Sequence, residues 1–448
     1  MTYNGPAAID RLAEFAAEAA WQDVPHCVQE RALTNIADTW GVMYGGRDAD
    51  ATRVARTLVR RESGANWPPA DDDFSPRLQA AWLAGIAGHV LDFDDTHWPT
   101  ILHASTPIVA SLIAIGEASE GLRFAEAYLV GFECAARVAN SMPVGHYDRG
   151  WHITGTVGGI GAAVAAIRLL GGGASEMRLA LSLAANQAAG HRQHFGSMAK
   201  SLNAGNAARA GLLAGLLVHQ GFRPAPDGIE GIRGMWHVMS DGAKPEALSA
   251  GLGEDWEILR NGLKPYPCGV VSHPSIEAAE RVRQACAERG VLPTSIYLTV
   301  HPLVAELTNK QIVEDLDVKF SVPALVAMGI VGVASDVKMY SASALAHRPD
   351  ITALSERTVV VSDPDIQQDE AILHLTFDDG TSLTERVTAA LGSPERPLPA
   401  GAVQAKFVSL TVDCLGIEAA GELFDRLITL DRAPDIRSVT CQLVSSLL

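Results

Sequence analysis

Between His89 and Ser105 the chain reads HVLDFDDTHWPTILHAS, which places Asp92, Asp94, Asp95, His97 and His103 in one short stretch flanked by small and apolar residues. Carboxylates and imidazoles at this density can move a proton or orient one another. If the small-residue segment 79–90 is a helix that continues, Asp92, Asp95 and Thr96 share one face at i, i+3 and i+4 and reach one pocket. The WPTIL that follows should turn the chain back. A plainer reading is an acidic helix end, with Asp94 or Asp95 as an N-cap and His97 in solvent.

Two further stretches carry chemistry. In VGHYDRGWHITGTVGGIG, at 144–161, glycines surround His146, Tyr147, Arg149 and His152, and a helix over 157–170 is expected directly afterwards. The free N–H groups of a helix start suit a carboxylate. His146 reads as a side chain that satisfies backbone groups, whereas His152, beside the TGT turn, reads as functional. In NQAAGHRQHFGSMAKSLNAGNAARAG, at 186–211, Lys200 is the one lysine among Gly- and Ala-rich segments. Partial burial there would lower its pKa and a bound carboxylate would raise it, which suits proton transfer or anion clamping. A surface lysine is the plainer alternative, and His191, Arg192 and His194 fit a solvated face equally well.

The elements that must hold these residues are mostly helical. Amphipathic spacing marks a helix over 7–20, a second opened by Pro25 and closed by Gly45-Gly46, and a third over 50–62; Ala-rich helices follow over 106–118 and 124–141. The segment 66–73 reads as a loop, and no strand signal precedes about residue 240. Beyond Asn261 the pattern changes to a helix over 276–289, alternating strands over 296–300, 358–361 and 372–377, a hairpin at Asp-Asp-Gly-Thr-Ser, and a helix over 322–334. The tail 404–448 returns to helix and is expected to dock on the first domain. The fold expected is mainly α: an all-helical domain of 1–260 plus 398–448, with a smaller α+β lid domain of 261–397 inserted.

With 448 residues the chain can bury a large core. It carries 35 Lys+Arg against 52 Asp+Glu, and no basic run breaks the acidic balance, so nucleic acid is not the expected partner. Six scattered cysteines show neither CxxC nor zinc spacing and read as reduced thiols of a cytoplasmic protein. No signal peptide is evident, and the apolar runs fall short of a membrane span.

Taken together and in this order, HVLDFDDTH, GWHITGTVG, KSLNAGNAARAG, KPYPCG and VKFSVPA resemble the MmgE/PrpD family over nearly the whole chain. That family holds 2-methylcitrate dehydratases, cis-aconitate decarboxylases and iminodisuccinate epimerases. The resemblance implies a homodimer, an active site between the helical domain and the lid, and a small di- or tricarboxylate substrate handled without cofactor or metal. It also implies the site residues: Asp92, His103, His152 and Lys200 for catalysis, with Thr96 and Lys264 for binding; His273 is added for binding because Gly269 stands where decarboxylases carry a histidine and His273 is nearby. Tyr147 takes the place of a candidate catalytic tyrosine of the epimerase branch. The chain departs from the family pattern at Gly269, Ala324 and Asn203, the last standing where a histidine is common.

The shared chemistry places negative charge next to a carboxylate while a proton is moved; lysines neutralise the carboxylates, and a His or Lys of near-neutral pKa moves the proton. The reading is a cofactor-free lyase. Alternatives are a dicarboxylate epimerase or isomerase, a noncatalytic carboxylate-binding protein, and a Mg²⁺ site of Asp92, Asp94, Asp95 and His97.

Overall fold

A computed structural model describes residues 8–63, 74–142, 145–308 and 310–448. The expected loop at 66–73 lies outside the described residues. The chain divides into two compact units, Met1–Gly262 with Pro399–Leu448, and Leu263–Leu398.

The first unit is built from α1 (Ala8–Glu18), α2 (His26–Gly46), α3 (Asp50–Ser63), α4 (Phe74–Val90), the two-residue strand β1 (Thr96–His97), α5 (Ser105–Ile115), α6 (Gly121–Ser141), the single turn α7 (Gly145–Asp148), α8 (Ile153–Leu170), α9 (Ala174–Ala185), α10 (Ala199–His219), α11 (Met235–Met239) and β2 (Asn261–Gly262). At its centre α8 is packed by α5, α6, α9 and α10. It is long and apolar enough to cross a membrane, which corrects the reading that no segment reaches that length; 89% of it is buried inside the protein, as a core helix requires. Small residues bring the helix backbones together. At the α4–α10 crossing, a Cβ on Gly85 would stand 2.7 Å from the Gly205 Cα, so only glycine permits this approach.

Three elements depart from the sequence reading, each for a local reason. Helix α4 stops at Val90 because Asp92 adopts a left-handed conformation (φ 54°), which an aspartate tolerates better than most residues. Asp92, Asp95 and Thr96 therefore do not share a helical face. Thr96 and His97 instead pair antiparallel with Gly262 and Asn261, a short strand pair that the sequence pattern did not show. Helix α8 begins at Ile153, four residues before the expected start, with His152 as its extended N-cap. The turn at WPTIL forms as expected: the Thr100 and Ile101 N–H groups both donate to the His97 carbonyl, and Ile101 is itself left-handed (φ 59°). A β-branched residue in that region is strained.

The second unit contains α12 (His273–Arg289), β3 (Ser295–Val300), α13 (Pro302–Thr308), α14 (Val322–Val331), α15 (Ala342–Ala346), α16 (Pro349–Glu356), β4 (Thr358–Ser362), β5 (Ala371–Thr376) and β6 (Ser382–Val387). Its sheet has the order β4-β3-β5-β6; β3 and β4 are parallel, and β5 and β6 form the expected hairpin. Ala371, Leu373 and Leu375 alternate inward along β5 and join Ile276, Val282, Leu298 and Leu325 in one core.

The tail returns to the first unit as α17 (Ala400–Leu415), α18 (Ile417–Leu427) and α19 (Arg437–Leu447). Its anchor is Lys406 of α17, whose Nζ pairs with Asp38 of α2 at 2.7 Å and donates to the Phe93 carbonyl at 2.8 Å. The bond to Phe93 ties the tail to the loop between Asp92 and Asp94.

Candidate active site

The loop after α4 distributes its three aspartates to three different partners. Asp92, turned by its left-handed backbone, places Oδ2 2.8 Å from the Lys200 Nζ at the start of α10. Lys200 is partly buried, as expected, and its ammonium also lies 5.1 Å from the Phe195 ring centroid. Asp94 is fully buried and accepts from His89 Nδ1 at 2.7 Å and from the Thr106 hydroxyl at 3.0 Å, with His103 Nδ1 3.7 Å from its other oxygen. Asp95, also fully buried, accepts from the Asn261 amide at 2.6 Å and from the Ser105 hydroxyl. Burial is the largest influence on Asp95 and, with the neighbouring Asp94 charge, raises its carboxyl to about 7 against these two hydrogen bonds.

His97 is buried rather than solvated, which corrects the plainer reading of this stretch. Its ring lies 2.7 Å from the Thr100 hydroxyl and 3.1 Å from Glu257, and burial lowers its pKa. A residue with both nitrogens engaged in this way fixes the turn.

Three imidazoles surround Asp94. His103 donates Nδ1–H to the Asp95 carbonyl at 2.5 Å, with the Thr96 hydroxyl 3.4 Å away, so the proton it can exchange is carried at Nε2. Its backbone N–H is held by Thr154 in the first turn of α8 at 3.1 Å. His89 lies edge-on to His103, with ring centroids 4.9 Å apart, and stacks on His152 at 5.4 Å. His152 accepts at Nδ1 from the Asn203 amide at 3.0 Å, and its backbone N–H donates to the Gly190 carbonyl at 3.1 Å. The Nε2 atoms of His89 and His152 are both buried without a hydrogen-bond partner among the described residues. Burial first, and then the neighbouring His89, Lys200 and His103, push the His152 pKa well down, so this ring is neutral near pH 7.

The structure thus gathers Asp92, Thr96, His103, His152 and Lys200 in one unit. Tyr147 belongs to the same unit, half-buried on α7 beneath the Arg192 guanidinium, which lies 3.7 Å from its ring centroid; burial raises its pKa. Lys264 and His273 are carried by the second unit, both buried, and His273 Nε2 donates to the Cys268 carbonyl at 3.3 Å. His146 fills the structural role read from its context, with its ring on the Met239 carbonyl at 2.9 Å and the Thr156 hydroxyl at 2.8 Å.

Sequence reasoning did not nominate His89, Ser105, Asn203 or Asn261 for the site; Asp95 entered it only through an expected helical face and, with Asp94, through the Mg²⁺ alternative. His89 and Ser105 lie inside the stretch it singled out, and a rule that every buried carboxylate needs donors would have drawn them in. Asn261 is distant in sequence and gave no signal.

Of the four residues weighed for Mg²⁺, only Asp94 belongs to a cluster able to share an ion: His89, Asp94 and His103, with ligand atoms within 4.8 Å of one another, the one such group among the described residues. Asp92, Asp95 and His97 are committed to Lys200, to Ser105 with Asn261, and to Thr100 with Glu257. Asp94 already accepts hydrogen bonds from His89 and Thr106.

The chain belongs to the MmgE/PrpD family: the MmgE/PrpD N-terminal domain matches residues 10–248 and the MmgE/PrpD C-terminal domain residues 266–429. Among its relatives is a cis-aconitate decarboxylase of Aspergillus terreus, 26% identical over 95% of this chain and 93% of the relative. The cis-aconitate decarboxylase of Homo sapiens is 25% identical over 85% of this chain and 82% of its own length.

Proposed function

We propose that the protein is a lyase acting on a small tricarboxylate of the cis-aconitate kind, breaking a C–C or C–O bond next to a carboxylate. The observation that carries this reading is the His89–His103–His152 cluster around Asp94, with Lys200 beside it on a carboxylate. Family membership and the names of the relatives support the substrate class.

In this reading a substrate carboxylate competes with Asp92 for the Lys200 ammonium. When CO₂ leaves, its bonding electron pair passes into the adjacent unsaturated carboxylate, and the resulting enolate takes a proton at carbon from His103 Nε2–H. Solvent then restores that proton. For loss of water, His103 Nε2 instead removes the proton on the carbon next to the departing hydroxyl, which leaves as water with a proton supplied by Tyr147 as acid. In both cases the charge develops on a carboxylate oxygen, where a fixed donor stabilises it more than it stabilises the ground state. Thr96 braces His103 from the Nδ1 side. Lys264 and His273 are proposed to bind carboxylate, and Tyr147 to serve as an auxiliary acid.

The experiment is proton NMR in D₂O with cis-aconitate, citrate, 2-methylcitrate and iminodisuccinate offered in turn. Loss of CO₂ or of water from a tricarboxylate supports the reading. Deuterium uptake with an intact carbon skeleton would make the protein an epimerase, and inertness across the whole panel would contradict a lyase of this substrate class.

A further inference from the structure

We propose that Asn203 is a positioning residue that holds His152 as its Nε2–H tautomer, so that His152 meets the substrate as a neutral hydrogen-bond donor and not as a base. This rests on the function proposed above and assigns the ring a part in it. A neutral imidazole has one donor and one acceptor nitrogen. The Asn203 amide donates to Nδ1 at 3.0 Å, which leaves the ring proton on Nε2. That nitrogen is buried and has no hydrogen-bond partner among the described residues.

The neighbouring rings are set the other way round. His89 gives its Nδ1–H to Asp94, and His103 gives its Nδ1–H to the Asp95 carbonyl. Among three rings around one carboxylate, His152 alone is held by a donor. The surroundings of the lock are built for it. Asn203 is one helical turn beyond Lys200 on α10, so ammonium and amide share a face. The Gly190 carbonyl accepts from the His152 backbone N–H, and Gly190 has φ 115°; a Cβ there would stand 2.9 Å from the Asn203 Cγ, so a larger residue would displace the amide. The charged and titratable groups that face His152 are Lys200 of α10, His89 of α4, and His103 and Asp94 of the loop. The three bases among them oppose a second proton on the ring.

A neutral Nε2–H directed at a carboxylate or enolate oxygen gains strength as negative charge develops there, without a proton having to be transferred. His103 can then carry the proton while His152 stabilises the charge.

The test is ¹⁵N NMR of the histidine-labelled full-length protein without substrate, with the His152 signals assigned by their loss in His152→Gln. The expected result at pH 7 is an unprotonated Nδ1 and a protonated Nε2. In Asn203→Asp the new carboxylate accepts from the ring, so Nδ1 should become protonated, and kcat should fall about 100-fold with KM little changed. If the aspartate variant fails to fold, Asn203→Ala serves instead, with signals averaged between both tautomers and a smaller loss of kcat. A protonated Nδ1 with a bare Nε2 in the wild type, as a reversed Asn203 amide would give, overturns the proposal. So does a kcat within threefold of wild type in a variant whose tautomer has changed. Because the tautomer is read without substrate, a bare Nδ1 in a protein inert toward every carboxylate would sink the proposed function and leave the lock standing.

Discussion

His146 and His152 are six residues apart, both buried, and both shifted below the usual imidazole range chiefly by burial. Burial and pKa therefore do not tell them apart. What differs is the second nitrogen. His146 uses both on the protein, on the Met239 carbonyl and the Thr156 hydroxyl, while His152 engages Asn203 with one and, among the described residues, leaves Nε2 buried without a partner. A buried polar atom without a partner costs about 1–3 kcal/mol. In the proposed function this atom, beside a lysine and two further imidazoles, is kept for the substrate.

The comparison breaks if the two histidines respond alike to the same substitution. His152→Gln should lower kcat by about 10²- to 10³-fold, the size of losing one fixed donor to developing charge, with little change in thermal midpoint. His146→Phe should do the opposite. It strands a carbonyl and a hydroxyl, costing about 2 kcal/mol in urea unfolding while kcat stays within a few-fold. Equal losses of turnover would place both rings in the site.

A second contrast separates carboxylates held by cations from carboxylates held by neutral donors. Lys406→Met removes the cation from buried Asp38 and frees the Phe93 carbonyl, and should cost about 3–5 kcal/mol in denaturant unfolding. Asp95 has no cation among its partners, and its carboxyl is raised to about 7. The folded protein thus holds a proton that the unfolded chain releases near pH 4. Stability from this group is complete below that point and is lost as pH rises toward 7, with a slope of at most about 1.4 kcal/mol per pH unit. Asp95→Asn copies the protonated form and should flatten that part of the profile. Glu133, raised to about 7 chiefly by burial, leaves a residual slope of the same sign. A profile unchanged in Asp95→Asn would show that Asp95 is ionised throughout.

The smallest expected effect is at Gly190. A methyl group there crowds the Asn203 amide and strains a left-handed backbone. Gly190→Ala should lower kcat by about tenfold and stability by about 1 kcal/mol, read from kinetics and urea unfolding on one preparation.

Much of this arrangement is legible in the sequence, and the reasons differ from residue to residue. Helical spacing and small-residue density mark the elements of the first unit, and strict alternation marks β5 and the β5–β6 hairpin. Lys200 stands out because few other charges surround it. What periodicity misses are single backbone events: the left-handed Asp92 that ends α4, and the two-residue β1–β2 pairing that brings Asn261 to Asp95. A helical face was expected to aim Asp92 and Asp95 together; one residue at positive φ sends them to different partners. Asn203 was visible only as a departure from the family pattern, and its part depends on a hydrogen bond across 51 residues that no local signal encodes.

In the proposed function the imidazole cluster around Asp94 carries out the chemistry, with His103 moving the proton. The most direct measurement is kcat for cis-aconitate, followed by proton NMR, in wild type and in His103→Gln of matched thermal midpoint. A fall of about 10²- to 10⁴-fold is expected, the usual worth of a positioned acid or base. Turnover within threefold of wild type in a folded His103→Gln protein would contradict it.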